Sequence, residues 1–418
     1  MIDLHRLRDE PAYRAGIERK RVERGLLDRV LVADESRRAL LREVEELRAE
    51  QNAASKAIGR ASPEERPERI EAASALKARL AGREPELVDA EANLRVLALQ
   101  VPNSSHESVP DGGEDDAEVL RVVGDTGPAP PLDHAAYGAQ MGFVDAEHGA
   151  AVSGTRFAYL TGEAVLLELA LVGWVMDRLV SQGFTPVAPP VLVREEAMEQ
   201  AGFFPTDRHQ IYEVDGGELF LVGTSEIPLA ALHRSDIVDA ARLPLRYGGV
   251  SSCFRREAGT HGKDTRGIFR VHQFDKVEMF SFAAPDDSWD ELERLLAVQE
   301  SIVADLGLPY RVVNIAAGDL GAAAAKKYDL EVWLPSEGRY RELTSCSNYL
   351  DYSARRLGTR VRMGDEGSTR FVHTLNGTAC AVGRTLVFCF EHHQEPDGGF
   401  VVPEVLRARC GFDRIPPR

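Results

Sequence analysis

The chain has 418 residues, 44% of them hydrophobic and 28% charged, an ordinary globular balance and too long for one small module. Lys+Arg 50 against Asp+Glu 67 give a net charge of −17, so the whole chain is not a generic polyanion binder and any nucleic-acid contact must be local. The five cysteines (Cys253, Cys346, Cys380, Cys389, Cys410) include no C-x-x-C pair, which argues against a disulfide scaffold or a zinc ribbon and for a reducing cytoplasm.

The opening MIDLHRLRDEPAYR is charged and has no apolar h-region, so it does not read as a signal peptide. No apolar run approaches the ~20 residues that span a bilayer. Residues 1–100 carry about 20 basic and about 20 acidic side chains, so the acidic excess lies in the remainder. A neutral, Arg-rich N-terminal part on an acidic body hints at a polyanion partner at that end. A solvated helix surface accounts for the same charges.

Residues 28–60 read as a long helix, with Leu40, Val44, Leu47, Gln51, Ala54 and Ile58 at alternating spacings of 4 and 3. ASPEERPERI interrupts it, with Ser62 as a candidate N-cap and Pro63 as a first-turn residue. A second helix runs to about Val101 on the stripe Ala73, Leu76, Leu80, Leu87, Ala90, Leu94, Leu97 and Val101. Each stripe is narrow, so each helix buries one seam. The pair predicts an antiparallel coiled-coil hairpin of roughly 30 residues, or about 45 Å, per leg. Such a hairpin is expected to project as an arm, although one that serves only intramolecular packing has the same pattern. Pro85, with Gly82 and Arg83 nearby on the expected seam, predicts a kink or local weakening.

Residues 102–150 are rich in Pro, Gly, Asp and Ser and read as a linker. The expected division is 1–105 for the N-terminal hairpin domain, 106–150 for a linker and the start of the next domain, and 151–418 for that domain. AVLLELALVGWVMDRLVSQGF reads as a buried helix. Short β-type runs follow in hairpin succession, with long helices between some of them. That order predicts an α+β domain on a mostly antiparallel sheet flanked by helices. Neither G-x-G-x-x-G after a strand nor a P-loop occurs.

Three clusters carry chemistry. In residues 251–280, Arg255, Arg256 and Glu257 end one expected strand, and Arg270, His272, Phe274, Lys276 and Glu278 alternate along the next, opposite Val271. Arginines suit phosphate or carboxylate, and Phe274 offers a stacking surface; a surface ion-pair ladder is the plain alternative. In residues 340–356, Glu342 and Ser345 could hold a hard cation or be merely solvated. In residues 373–394, Asn376, Thr378 and Arg384 precede or open an apolar helix, either as an anion site or as ordinary caps. His261, His272, His392 and His393 do not form a metal set, and Cys253, Cys346 and Cys380 read as core or site-lining residues.

Together these stretches resemble the bacterial-type seryl-tRNA synthetases, class II aminoacyl-tRNA synthetases, over essentially the whole chain. The resemblance rests on the hairpin, VPNSSHESVP, LLELALVGWVMDRLVSQGFTPVAPPVLV as the first class motif, FRREAG through RVHQFDKVE as the second, and LNGTACAVGRT as the third. It implies ATP and Mg²⁺, L-serine, tRNA(Ser) at the arm, tRNA(Sec) where present, a homodimer and the cytoplasm.

The resemblance also implies residue roles. Arg255 would bridge the ATP α-phosphate and the serine carboxylate. Phe274 and Arg384 would sandwich adenine, with Arg384 also near the γ-phosphate. Glu257 would lie at adenine, Val271 would give backbone contact, and Arg256 and Arg270 would meet the nucleotide. Glu342 and Ser345 would hold Mg²⁺, with Leu343 and Thr344 beside ATP. Thr224, Ser225, Glu226, Glu278, Asn376 and Thr378 would form the serine site. Arg255, Arg384 and Glu342 would be the catalytic set. Tyr352-Ser353, where the family usually has Phe-Gln, and Pro85 depart from the pattern. They leave room for a paralogue in antibiotic resistance or biosynthesis, or for a non-catalytic RNA-binding relative.

Overall fold

The computed structural model describes residues 1–259, 264, 266–362 and 367–418; His261 lies outside them. The chain divides into two compact units, Met1–Pro102 and Asn103–Arg418.

In the first unit two short helices, Leu4–Asp9 and Pro11–Glu18, precede α1 (Leu26–Arg60) and α2 (Arg66–Leu99). Val44, Leu47, Leu80 and Leu87 form the buried seam between α1 and α2, flanked by Leu40, Leu41 and Leu76. Arg83 pairs with Glu43 at 3.0 Å and Arg48 with Glu84 at 2.7 Å across the hairpin. Ser62 Oγ accepts from the Glu65 amide at 3.3 Å, but that serves a turn, and α2 begins only at Arg66. α2 continues through Pro85 without a break, and Gly82 is exposed rather than on the seam. The seam residues on either side of Pro85, Leu80 and Leu87, stay buried. Packing there outweighs the lost backbone hydrogen bond, a local penalty of ~3 kcal/mol.

The second unit is built on an eight-stranded sheet. Its strands in chain order are β1 (Glu118–Val123), β2 (Thr185–Val187), β3 (Leu245–Phe254), β4 (Gln273–Ala283), β5 (Tyr310–Asn314), β6 (Lys326–Leu334), β7 (Arg339–Asn348) and β8 (His373–Ala381). Across the sheet the order is β1-β5-β6-β7-β8-β4-β3-β2. All neighbours are antiparallel except β2 and β3. The helices used below are α3 (His134–Gln140), α4 (Glu163–Ser181), α5 (Glu226–Ala231), α6 (Ser288–Asp305) and α7 (Val382–His392).

Alternate residues of β4 feed the two sides of the sheet. Val277 and Met279 join the large core with Leu171 of α4, Leu295 of α6 and Leu386 of α7. Phe280 and Phe282 join a smaller core with Ile227 of α5 and Phe220. Gly249 of β3, paired with Glu278, permits a close approach there: a Cβ would stand 2.8 Å from Leu229 and 3.0 Å from Ser225 Oγ.

Three expectations need correction. The stretch expected as a linker contributes the edge strand β1 and the helix α3, whose Tyr137 is fully buried. β-Branched residues make that strand, and their Pro- and Gly-rich flanks hide it in the sequence. The polar strand expected from Arg270 begins only at Gln273, so Arg270, Val271 and His272 are not on its alternating faces. Asn376 and Thr378 lie inside the central strand β8 and cap nothing; α7 starts at Val382.

Candidate functional site

A cavity of about 420 Å³ opens over β4, β6, β7 and β8. Two β-bulges shape it. In the β6–β7 ladder Leu330 pairs with Thr344 but Glu331 with Glu342, so Leu343 is the extra residue. Glu342 and Ser345 are three apart, an odd spacing that would set them on opposite faces. The bulge brings them onto one face, beside Lys327 of β6. In the β4–β8 ladder Val277 pairs with Cys380 but Glu278 with Thr378, which leaves Ala379 as the extra residue.

One end of the cavity is closed and polar. Thr224 Oγ1 accepts from Lys276 Nζ at 2.7 Å and from the Glu226 amide at 3.1 Å. Lys276 Nζ lies 2.5 Å from Glu278 Oε2, which also accepts from Thr378 Oγ1 at 3.2 Å. Asn376 Nδ2 donates to Glu226 Oε2 at 2.8 Å and Glu278 Oε1 at 3.4 Å. Burial, with the Glu278 charge beside it, pushes Glu226 up to about 7. Glu278 is fully buried beneath the lining, and Ser225 is likewise buried beside it.

The other end is cationic. Arg255 donates through Nε to the Gly223 carbonyl at 3.2 Å, and its guanidinium lies 5.3 Å from the centre of the Phe274 ring. Arg384, in the first turn of α7, donates to the Glu342 carbonyl at 3.1 Å and packs over Phe269. Arg270 pairs with Glu257 at 2.7 Å. Burial opposes the Glu342 charge, but Lys327, Arg384, Arg255 and Arg270 outweigh it and hold its carboxyl below the ordinary range. Lys327 lies 2.9 Å from Asp329, which burial pushes up to about 7.

Of the residues singled out in the sequence, the cavity lining includes Thr224, Glu226, Arg255, Glu257, Arg270, Val271, Phe274, Glu342, Leu343, Thr344, Ser345, Asn376, Thr378 and Arg384. Arg256 is exposed and outside it. Val271, placed opposite Phe274 by strand alternation, lines the cavity beside it because it precedes the strand. His272 donates through Nδ1 to the Arg255 carbonyl, and His392 and His393 donate through Nε2 to the carbonyls of Trp333 and Leu306. Among the described residues no group of three or more His, Cys, Asp or Glu could hold a metal. Cys253, Cys346, Cys380 and Cys389 are buried.

Sequence reasoning missed further contributors, among them Lys327 with its partner Asp329, Phe269 and Tyr349. The K-x-D spacing on β6 is a period-two signal for the first pair. Tyr349, whose hydroxyl bonds to Glu226, had no local signal.

A cavity that sets an acidic, amide-rich pocket next to an arginine-lined trough, on an antiparallel sheet, is the frame of the class II synthetases, and the N-terminal hairpin separates their members. The description "Seryl-tRNA synthetase N-terminal domain" matches residues 1–105, and "tRNA synthetase class II core domain (G, H, P, S and T)" matches residues 211–393. A serine–tRNA ligase of Acidothermus cellulolyticus is 48% identical over 422 residues, with 100% of both chains covered. The chain belongs to the seryl-tRNA synthetase family. A seryl-tRNA synthetase from Pyrococcus horikoshii, solved complexed with ATP, superposes with a TM-score of 0.94 at 38% identity over 100% of both chains. A cytoplasmic serine–tRNA ligase from Naegleria fowleri, solved with AMP, superposes with a TM-score of 0.89 at 34% identity, covering 100% of this chain and 99% of the other. As a seryl-tRNA synthetase the chain keeps Arg255, Glu342 and Arg384 on one cavity, and the departing pair Tyr352-Ser353 is buried, with Tyr352 accepting from Arg356 at 2.5 Å.

Proposed function

We propose that this seryl-tRNA synthetase activates L-serine at the closed polar end of the cavity, binds ATP along the arginine-lined end, and then charges tRNA(Ser), and tRNA(Sec) where one is present. The observation that carries the assignment is the charge count at the closed end. Two carboxyl groups face one buried ammonium, Lys276: Glu278, and Glu226, whose ionisation burial holds back until about pH 7 and a second cation would favour. The α-ammonium of an amino acid supplies the missing positive charge. Thr224, Ser225 and Asn376 border that seat, and Thr378 with Glu278 meets the serine hydroxyl. Alanine would leave those groups unpaired.

Arg255 reaches toward both ends and is assigned to the serine carboxylate and the α-phosphate, where its charge offsets the negative charge that grows during attack. Phe274 supplies the stacking face for adenine and Arg384 the opposing guanidinium, with Glu257 and Val271 at the base. Arg270 is assigned to the outer phosphates; Arg256, expected at the nucleotide, stands exposed outside the cavity and takes no place in this assignment. Glu342 and Ser345, with Leu343 and Thr344 between them, face the phosphates. Two oxygen ligands on one strand face, one held anionic by four cations, fit Mg²⁺, which prefers few protein ligands alongside phosphate oxygens. When bound, Mg²⁺ neutralises phosphate charge. The step needs no protein nucleophile: the serine carboxylate attacks the α-phosphorus, pyrophosphate leaves, and a tRNA hydroxyl later attacks the acyl carbon.

Residues 1–105 are assigned to tRNA binding, with 106–150 leading into the catalytic domain of 151–418. The homodimer finds support in α4, where Leu166 is 47% and Leu169 64% exposed in a single chain. No helix among the described residues is long and apolar enough to cross a membrane, and the assigned place of work is the cytoplasm. The test is charging of bacterial tRNA with labelled serine and ATP·Mg²⁺, with serine-dependent ATP–pyrophosphate exchange alongside. Success in both is expected. Exchange without charging would mean another acceptor for the serine, and no exchange would remove the catalytic reading.

A further inference from the structure

Gln299 lies on α6 and is fully buried. Its side-chain amide donates to the Ser345 carbonyl of β7 at 2.7 Å and to the Thr378 carbonyl of β8 at 2.8 Å. Those two residues sit where the sheet opens. β7 and β8 pair at Asn348↔Leu375, Ser347↔Asn376 and Cys346↔Gly377, and the next pair in order would be Ser345 with Thr378. The ladder stops there, while Thr378 pairs on its other side with Glu278. Gln299 takes the place of the missing rung. One neutral nitrogen with two hydrogens serves both carbonyls without burying a charge. The space is closed around it, since a Cβ on Gly377 would stand 3.5 Å from Gln299 Nε2 and 3.0 Å from Cys346 Cβ. Gln299 Oε1 has no hydrogen-bond partner among the described residues, which is a cost to stability that packing alone does not explain.

We propose that Gln299 is a positioning residue that sets the spacing between the strand carrying Glu342 and Ser345 and the strand carrying Thr378. It touches no substrate and acts through two carbonyls on adjacent strands that both line the cavity. The inference rests on the reading above, in which the Ser345 wall takes ATP·Mg²⁺ and the Thr378 wall takes serine. Attack of the carboxylate on phosphorus requires those two ligands at a fixed separation, so a change in wall spacing disturbs both together.

Gln299→Met keeps the length and removes both donors. In serine-dependent exchange it is expected to lower kcat about tenfold or more and to raise the KM for serine and the Mg²⁺ requirement together. AMP affinity by calorimetry should fall less than serine affinity does, because the stacking face at Phe274 is on another strand while Arg384 touches β7 through the Glu342 carbonyl. Gln299→Glu gives an independent reading and decides the matter if Gln299→Met does not fold. Its protonated carboxyl keeps one donor and its carboxylate none, so its activity relative to the unsubstituted chain should fall as pH rises. Unchanged kcat and serine KM in Gln299→Met overturn the proposal, as does an AMP affinity that falls in step with serine, or a Gln299→Glu ratio independent of pH. Ser345→Ala and Thr378→Ala are measured in parallel. If both leave exchange intact, the site assignment fails and the clamp with it. If they impair exchange and Gln299→Met does not, only the clamp is lost.

Discussion

The hairpin and the sheet unit are held together by different kinds of partner. In the hairpin one apolar seam recurs along two helices, and exposed pairs such as Arg48–Glu84 decorate it. In the sheet unit the decisive contacts join distant residues: Asn376 meets Glu226 across 150 positions and Thr378 meets Glu278 across 100. A repeated seam is redundant, so losing one member weakens it locally. A closed polar pocket is not redundant, because each deletion leaves a buried group unpaired. The difference implies that single substitutions are felt far more in the pocket than in the hairpin.

The sharpest way to break that comparison is Glu278→Ala. It strips Lys276, Thr378 and Asn376 of a shared partner, at a cost of about 3–5 kcal/mol for the orphaned buried charge. Serine-dependent exchange should be abolished, and unchanged exchange would sink the serine-site assignment. Removing residues 30–100 should act on the other unit alone. Adenylate formation is expected to persist, measured by exchange, while tRNA charging disappears; normal charging by the truncated chain would show that the arm is not the RNA contact.

Glu226 sharpens the comparison through pH. Its carboxyl stands at about 7 in the folded chain against an ordinary 4.5, so the folded state holds a proton that the unfolded state releases. Its contribution to stability is full below about 4.5 and is lost as pH rises to about 7. Glu226→Gln should therefore flatten the decline of the thermal midpoint over that window; an unaltered pH profile would show that Glu226 is not the group responsible. In the hairpin, Pro85→Ala restores a backbone hydrogen bond and should stabilise α2 by up to ~3 kcal/mol, read by circular dichroism of the isolated helical signal on heating. Arg48→Ala should cost less than about 1 kcal/mol, since both partners are solvent-exposed. A larger loss would mean that surface pairs, not the seam, hold the hairpin.

The hairpin was legible because its information is local. A 3–4 spacing marks the seam wherever the chain goes, and Val44, Leu47, Leu80 and Leu87 are buried as that spacing requires. Phe274, Lys276 and Glu278 were legible for the same reason, as alternate members of one strand. The reading failed where one element's character depends on another. β1 is a strand because β5 offers it an edge, and HTLNGTACA is a strand because β7 and β4 hold it from both sides. Asn376 and Thr378 resembled helix caps for want of those neighbours.

The sequence by itself determined the seam of the hairpin, the existence of a polar strand in the second class motif, and the residue types that a seryl-tRNA synthetase site requires. Periodicity and motif order carry that much, because both are properties of neighbouring residues. Tertiary structure alone decided how residues of different strands, and residues on either side of a bulge, come to share a face. A bulge at Leu343 brings Glu342 and Ser345 together, and another at Ala379 sets Thr378 against Glu278. The charge states of Glu226 and Glu342 were decided there too, because a carboxyl takes its ionisation from the burial and the charges that the fold gathers around it.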